Sequence, residues 1–172
     1  MFLNYIKELL SKKIVKNSIT NVSNHSNELN IKTIGIIFDE NYFHEKNDLI
    51  NELTKRGIND NQCKILVFKN KIKKNEVFNY PIFTYRDLSW NGNILKNEVQ
   101  EFSNQPFDLL INYYDTEKTP LLAITNQSKA SFKVGFSTID KRLNHFMIAT
   151  NAENYKVFIE ELFKYLKILN KI

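Results

Sequence analysis

A chain of 172 residues with 42% hydrophobic and 13% aromatic residues has the composition of one globular domain with a sizeable core, which excludes an intrinsically disordered protein. The single Cys63 excludes an internal disulfide, and His25, His44 and His145 lie in no metal-ligand spacing, so neither a metal nor a cofactor is expected. The net charge of +5 is compatible with RNA or an anionic surface, but only three of the 24 basic residues are the arginines that nucleic-acid contacts prefer.

The N-terminal segment combines an amphipathic helix with a polar linker. Helical spacing of apolar residues predicts a helix over residues 1–16, and the Asn- and Ser-rich residues 17–30 predict a linker. Lysines interrupt the apolar residues and no small-residue cleavage site follows, so this is not a secretory signal. No apolar run approaches the roughly 18 residues of a transmembrane helix, so we expect a cytoplasmic protein without a transmembrane segment.

The next elements form a β-α-β unit. The nearly unbroken apolar run in "IKTIGIIFDE" predicts a buried strand of a parallel sheet. A helix over about 45–56 follows, and Gly57 stands where a left-handed residue ends a helix. "CKILVF", residues 63–68, is the second strand.

The second half continues the alternation of strands and helices. The pattern predicts a short strand at 81–85, a loop with a turn at Asn91-Gly92, a helix over 94–103 and a strand at 107–114. A helix capped by Thr119 then runs to Lys129. Strands at "FKVGFS" and 146–150 follow, and a terminal helix capped by Asn151 ends the chain of predicted elements. This predicts an open, mostly parallel, Rossmann-like α/β three-layer sandwich with an N-terminal helical appendage. Residues 1–30 are the appendage and 31–172 a single α/β domain.

Candidate site residues follow from this topology, because ligands of open parallel sheets bind beyond the carboxyl ends of the strands. The candidates at those ends are Asp39, Glu40, Tyr85, Asp87, Trp90 and Asp115. Each has a structural alternative. The acids can solvate a helix start or begin a turn, and the tryptophan can anchor its loop on the core.

The sequence lacks the motifs that nucleotide binding and nucleophilic catalysis commonly require. The first strand-to-helix turn, "DENYFHEKND", has no glycine and carries acids that repel phosphate, and no Walker loop occurs, so dinucleotide or Walker-type nucleotide binding is not expected. Cys63 opens an apolar strand and is interpreted as a core residue, and no G-x-S-x-G motif is present. An acid–base pair of His44 with Asp39 or Glu40 stays open beside the alternative of a solvated histidine.

Two resemblances add to these patterns. "IKTIGIIFDE", "DLSWNG", "FDLLINYY", "SKASFKVGF" and the ending "FIEELFKYLKILNKI" resemble a family of short α/β proteins from Flavobacteria and related Bacteroidetes, a domain of unknown function. "FDLLI" with "LLAITNQSKASFKVGF" is similar to the N-terminal half of heptosyltransferase-like GT-B glycosyltransferases. The second resemblance implies a Rossmann-like topology without transferase activity, because that family holds its nucleotide-sugar donor mainly with a second domain.

The leading functional interpretation is a non-catalytic cytoplasmic module that binds another macromolecule, through protein–protein interaction with a partner or as a homodimer. Phe2, Tyr5 and Leu9 are the partner-contact candidates. The first alternative is a small-molecule-binding protein or an enzyme that uses the acids at the strand ends. The second alternative is an RNA- or ribosome-associated protein. The absence of catalytic motifs favours a protein that is not an enzyme.

Overall fold

The computed structural model describes residues 2–22 and 30–172, and for residues 2–5 and 7 it describes the backbone alone. His25 and half of the predicted linker, residues 23–29, lie outside the described residues. No helix in the described part of the chain has the length and hydropathy that a bilayer-spanning helix requires.

Six parallel strands form one sheet in the order β3-β2-β1-β4-β5-β6. The strands are β1 (Ile34–Asp39), β2 (Cys63–Phe68), β3 (Ile82–Phe83), β4 (Leu109–Tyr113), β5 (Phe132–Phe136) and β6 (Phe146–Ile148). This is the strand order of doubly wound nucleotide-binding sheets, whose ligand crevice lies where the order reverses, between β1 and β4. The predicted Rossmann-like class is confirmed, and all five strand pairings are parallel where the prediction was mostly parallel.

Helices cover both faces of this sheet. The α-helices of the described residues are α1 (Phe2–Ser18), α2 (Lys46–Lys55), α3 (Asn97–Asn104), α4 (Thr119–Gln127) and α5 (Tyr155–Ile168). α2 and α5 pack together on one face, whereas α3 and α4 pack together on the other, with α1 against α4. β1 is buried along its whole length because helices cover it from both sides, which explains its unbroken apolar run.

Aromatic side chains dominate the core on the α2–α5 face. Tyr113 and Phe136 each contact the Phe158 ring of α5, with ring centroids 5.0 and 4.7 Å apart. Phe43 adds a contact to Tyr113 at 4.7 Å. Each such pair contributes on the order of 1 kcal/mol beyond its buried area, so these rings fix how α5 sits on the sheet.

The C-terminal half of α1 is part of the core. Val15 and Ile19 are buried in the same hydrophobic cluster as the sheet residues. Arg142, in the connection between β5 and β6, donates from Nη1 to the Ile19 carbonyl at 3.1 Å and from Nη2 to the Lys16 carbonyl at 3.2 Å. Lys16 also forms an ion pair with Glu117 at 2.5 Å. These contacts attach the helix to the domain through its last two turns.

Local sequence signals located one helix end correctly and missed two others. Gly57 has a φ of +96°, as its predicted capping role requires. Thr119 is the first residue of α4 rather than its cap, so the flanking residue is Lys118. The residue flanking α5 is Asn154, while Asn151 accepts a hydrogen bond from the Asn154 amide at 3.2 Å and shapes the turn before the helix.

Candidate functional site

A buried ion pair lies at the point where the strand order reverses. Asp39 ends β1, and its Oδ2 lies 2.5 Å from the Nζ of Lys118, which precedes α4. Both side chains are buried, and neither of these two atoms has a hydrogen-bond partner of good geometry among the described residues. The other carboxylate oxygen of Asp39 accepts hydrogen bonds from the backbone and side-chain nitrogens of Asn41. The pair therefore depends on direct charge attraction in a place that water does not reach.

Aromatic rings enclose the Lys118 ammonium. Its Nζ lies 4.5 Å from the ring centroid of Tyr42 and 5.2 Å from that of Phe68. The Tyr85 ring packs edge-on against Phe68, with centroids 5.3 Å apart. Cation–π contacts of this kind stabilise a desolvated ammonium. The crevice that holds phosphate groups in dinucleotide-binding sheets is thus occupied here by a lysine, an aspartate and aromatic rings of the chain itself.

Glu40, the next acid along the chain, belongs to a surface network of charges. It forms ion pairs with Lys46 of α2 and with Lys69 after β2, and Lys69 in turn pairs with Glu76. Two cations and two carboxylates alternate in this network, so its charges balance. The network joins the start of α2 to the connection between β2 and β3.

The remaining acids at the strand ends are bound to backbone groups. The Oδ2 of Asp87 accepts hydrogen bonds from the amide and hydroxyl of Thr84, which closes a single helical turn after β3. The Oδ2 of Asp115 accepts from the Ala152 amide at 2.9 Å, and its carbonyl accepts from the Thr138 hydroxyl at 2.7 Å. The Asp87 carboxylate therefore closes a local turn, whereas the Asp115 carboxylate joins two loops that are distant in sequence.

Trp90 lies at the tip of a small hairpin that follows β3. The Ser89 amide donates to the Asn93 carbonyl at 2.9 Å, and Gly92 takes a φ of +86° at the turn. A Cβ at Gly92 would lie 2.9 Å from a methyl group of Val15, so the hairpin touches α1 closely. The indole itself is 64% exposed and does not anchor the loop on the core.

The middle of α1 carries exposed apolar side chains, on the same helix that contacts this hairpin through Val15. Leu9 and Leu10 are each 50% exposed. Burial raises the pKa of Tyr85 to about 12, with a smaller contribution from the Glu8 carboxylate of α1. Leu9, Leu10 and Trp90 are termed the α1–hairpin surface below. The side chains of the partner-contact candidates Phe2 and Tyr5 lie outside the described residues.

The tertiary structure brings only some of the predicted residues together. Tyr85 lies near enough to Asp39 for that carboxylate to contribute to its raised pKa, whereas Asp87 and Trp90 lie in the connection after β3 and Asp115 in the loop after β4. Sequence reasoning missed Lys118, although it follows a strand end just as the predicted acids do. Its position three residues after Asp115 was a usable signal, because a cation near the switch point can neutralise Asp39.

A second set of buried polar groups lies between the sheet and α4. Asn112 donates to the Oδ1 of Asn144 at 2.7 Å and accepts from the Thr125 hydroxyl at 3.0 Å. The hydroxyls of Thr125 and Tyr114 lie 2.6 Å apart, and burial raises the pKa of Tyr114. Lys133 joins the same group through the Thr125 carbonyl. No spacing in the sequence indicated this network.

Nucleophile and metal chemistry find little support in the described residues. Burial, with the nearby Asp60 carboxylate, raises the pKa of Cys63 to about 11, so the thiolate form is scarce at neutral pH. His44 is exposed, and among the described residues it makes no hydrogen bond to Asp39 or Glu40, the acids of the proposed acid–base pair. Across residues 2–22 and 30–172, no group of three or more His, Cys, Asp or Glu side chains is arranged to hold a metal ion.

A comparison with known protein families identifies one that matches most of this chain. A family model described as a family of unknown function, DUF6913, matches residues 7–169. The chain belongs to DUF6913. The match covers α1 from residue 7 onward and all six strands, so the docked part of the helix belongs to what the DUF6913 model describes. No curated protein and no solved structure matches the chain.

Proposed function

We propose that this DUF6913 protein is a non-catalytic, cytoplasmic macromolecule-binding module whose partner is a protein that docks on the α1–hairpin surface. The observation that carries the proposal is the contrast between the buried side chains at the end of α1 and the exposed leucines in its middle. Val15 and Ile19 are buried in the core, whereas Leu9 and Leu10 are each 50% exposed, and Trp90 is 64% exposed at the tip of the hairpin that Val15 contacts. Clustered exposed apolar side chains are typical of protein interaction sites, and tryptophan is enriched at binding hot spots.

The charges around this surface favour an acidic partner. Lys12 and Lys13 are exposed on α1, and the whole chain has a net charge of +5. Two copies of this helix would bring like charges together, which costs binding free energy. An apolar segment flanked by Asp or Glu would complement the surface, so we favour a different protein over a homodimer. Phe2 and Tyr5 remain contact candidates on the same helix.

The contacts at the strand ends support the non-catalytic part of the proposal. Asp39, Glu40, Asp87 and Asp115 each have an internal partner, and each of those contacts serves to join two segments of the chain. A catalytic acid or base needs a free path to its substrate. The origin in Bacteroidetes and the glycosyltransferase-like topology remain hypotheses from the sequence.

The test uses the full chain and a matched control. The test variant carries Leu9→Ser, Leu10→Ser and Trp90→Ser. The control carries Val157→Ser on α5, on the opposite face of the sheet, where Val157 is 48% exposed and so matches the leucines. Each protein captures partners from native lysate with and without ribonuclease. Any captured partner is then purified, and its affinity for each variant is measured by calorimetry.

We expect an acidic protein that binds the wild type and the Val157 control equally, and the triple variant at least about tenfold more weakly, since buried hot-spot residues contribute on the order of 1–2 kcal/mol each. Ribonuclease should leave the complex intact. Loss of the complex on ribonuclease treatment would favour the RNA-associated alternative. Self-association that the triple variant abolishes would favour the homodimer. Equal binding of the partner by all variants would show that it does not dock on the α1–hairpin surface.

A further inference from the structure

A cavity of about 350 Å³ lies at the amino ends of the strands, near the start of β5. Its wall includes Asn126 and Ser128 at the end of α4, Lys129, Lys133 on β5, and His145 before β6. The volume is within the range of about 300–1,000 Å³ that small-molecule sites occupy. None of these residues belongs to the α1–hairpin surface, so the cavity is independent of the proposed function.

Lys133 is the unusual residue of this cavity. Only 6% of it is exposed, and its Nζ donates one hydrogen bond, to the Thr125 carbonyl at 2.8 Å. No carboxylate of the described residues forms an ion pair with it. An ammonium can donate three hydrogen bonds, so two donors of this buried group have no acceptor among the described residues. Buried charges in proteins are ordinarily paired, which makes this arrangement costly as it stands.

The surrounding charges are mostly positive. Burial, with the nearby charge of Lys129, lowers the pKa of Lys133 to about 8. Arg142 and Lys171 also line the cavity, although the Arg142 guanidinium is committed to Asp140 and to the carbonyls of α1. The acid in the wall is Asp108, whose Oδ2 already accepts three hydrogen bonds from Lys32 and Thr33. A negative ligand would therefore lower the electrostatic energy of the site.

We propose that the cavity beside Lys133 binds a small oxyanion, the phosphate or carboxylate group of a low-molecular-weight compound, with Lys133 as its buried charged ligand and Lys129 at the rim. The oxyanion would accept the two remaining hydrogen bonds of the Lys133 ammonium. Charge-assisted hydrogen bonds of this kind are about twice as strong as neutral ones. The depth of Lys133 selects a small anion over a polynucleotide backbone, which cannot reach a side chain with so little exposed surface.

The experiment is an amide NMR titration of the full chain with inorganic phosphate, and in a second arm with acetate, at about pH 6.5, where Lys133 is charged. Sodium chloride keeps the ionic strength equal in all samples. The variants are Lys133→Met and Lys129→Met, and the control is Lys167→Met, which removes one exposed charge on α5. Circular dichroism checks that each variant is folded.

We expect saturable shifts at the amides of Ser128, Lys129, Ser131 and Lys133 with at least one of the two anions. Lys133→Met should weaken binding at least about tenfold, Lys129→Met a few-fold, and the control not at all. The anion that saturates the site distinguishes a phosphate from a carboxylate ligand. Absence of saturation with both anions, equal binding by Lys133→Met, or shifts spread over exposed lysines would each overturn the proposal. If Lys133→Met does not fold, an affinity of Lys129→Met for the anion that equals that of the wild type would overturn the proposal.

Discussion

Replacement of Lys133 by methionine tests directly whether a buried charge destabilises this protein. Methionine keeps most of the volume of the side chain and removes the ammonium. Burial lowers the pKa of Lys133 from 10.5 to about 8 in the folded protein. At 1.36 kcal/mol per pH unit, this difference corresponds to a stability penalty of about 3 kcal/mol at neutral pH. The variant loses the hydrogen bond to Thr125, which is worth about 1 kcal/mol, so we expect a net stabilisation of about 2 kcal/mol.

The sign of the pH dependence follows from where the proton is bound. Between about pH 8 and 10.5 the unfolded chain keeps the proton of Lys133 while the folded chain releases it. The free energy of unfolding of the wild type should therefore rise with pH across this window, relative to that of Lys133→Met. Below about pH 8 both states of the wild type are protonated, and the penalty is present in full. The neighbouring groups Lys129, His145 and Asp108 are common to both proteins.

Urea denaturation at several pH values between about 7 and 10.5 measures this difference. Chloride buffers replace phosphate and acetate, because an anion bound at the cavity would itself stabilise the charged lysine. Subtraction of the two curves cancels the titration of every other group, and Lys167→Met controls for the loss of one exposed charge. Parallel curves for the wild type and Lys133→Met, or a less stable variant at neutral pH, would refute the reasoning.

The remaining predictions concern the core and the docked helix. Gly135→Ala places a Cβ 2.7 Å from the Nδ2 of Asn144 and should lower the free energy of unfolding, measured by urea denaturation, by about 1–3 kcal/mol. Unchanged stability would mean that the Asn144 side-chain amide moves aside without cost. Lys118→Met leaves the buried Asp39 carboxylate without its cation and should lower the free energy of unfolding by about 3–5 kcal/mol, most of which an added Asp39→Leu should restore. A double variant that is no more stable than Lys118→Met would show that the unpaired carboxylate is not the cause of the loss. Deletion of residues 1–20 removes the buried side chains of Val15 and Ile19, each of which contributes roughly 1.5–3 kcal/mol to stability, so calorimetry should show a clearly lower Tm. An unchanged Tm would contradict the docking of α1.

The fold class could be predicted from the sequence because its signals are local. The apolar runs of β1, β2 and β4 are long enough to identify buried strands, and the alternation with amphipathic helices indicates a parallel sheet. Gly57 marked the end of α2 because few other residues adopt its backbone conformation. Errors arose at helix starts, where several polar residues in a row can each satisfy the free backbone amides.

The candidate site was predictable only as an edge of the sheet. The sequence placed Asp39 and Tyr85 at strand ends, but which of the acids would find a partner depended on the strand order. Because β4 lies next to β1 in the sheet, the loop after β4 brings Lys118 onto Asp39 and fills the crevice. The interior position of Lys133 had no sequence signal either, since alternation along β5 gives the direction of a side chain but not what covers it.

The sequence by itself therefore determined the elements, the class of the sheet and the absence of the recognised nucleotide-binding and nucleophile motifs, since these depend on residues that are close along the chain. Only the tertiary structure decided which charges are paired, which side chains of α1 are buried and where a lysine lies without a counter-ion among the described residues. Those properties depend on contacts between segments distant in sequence, whose energies are set by burial and geometry rather than by residue type.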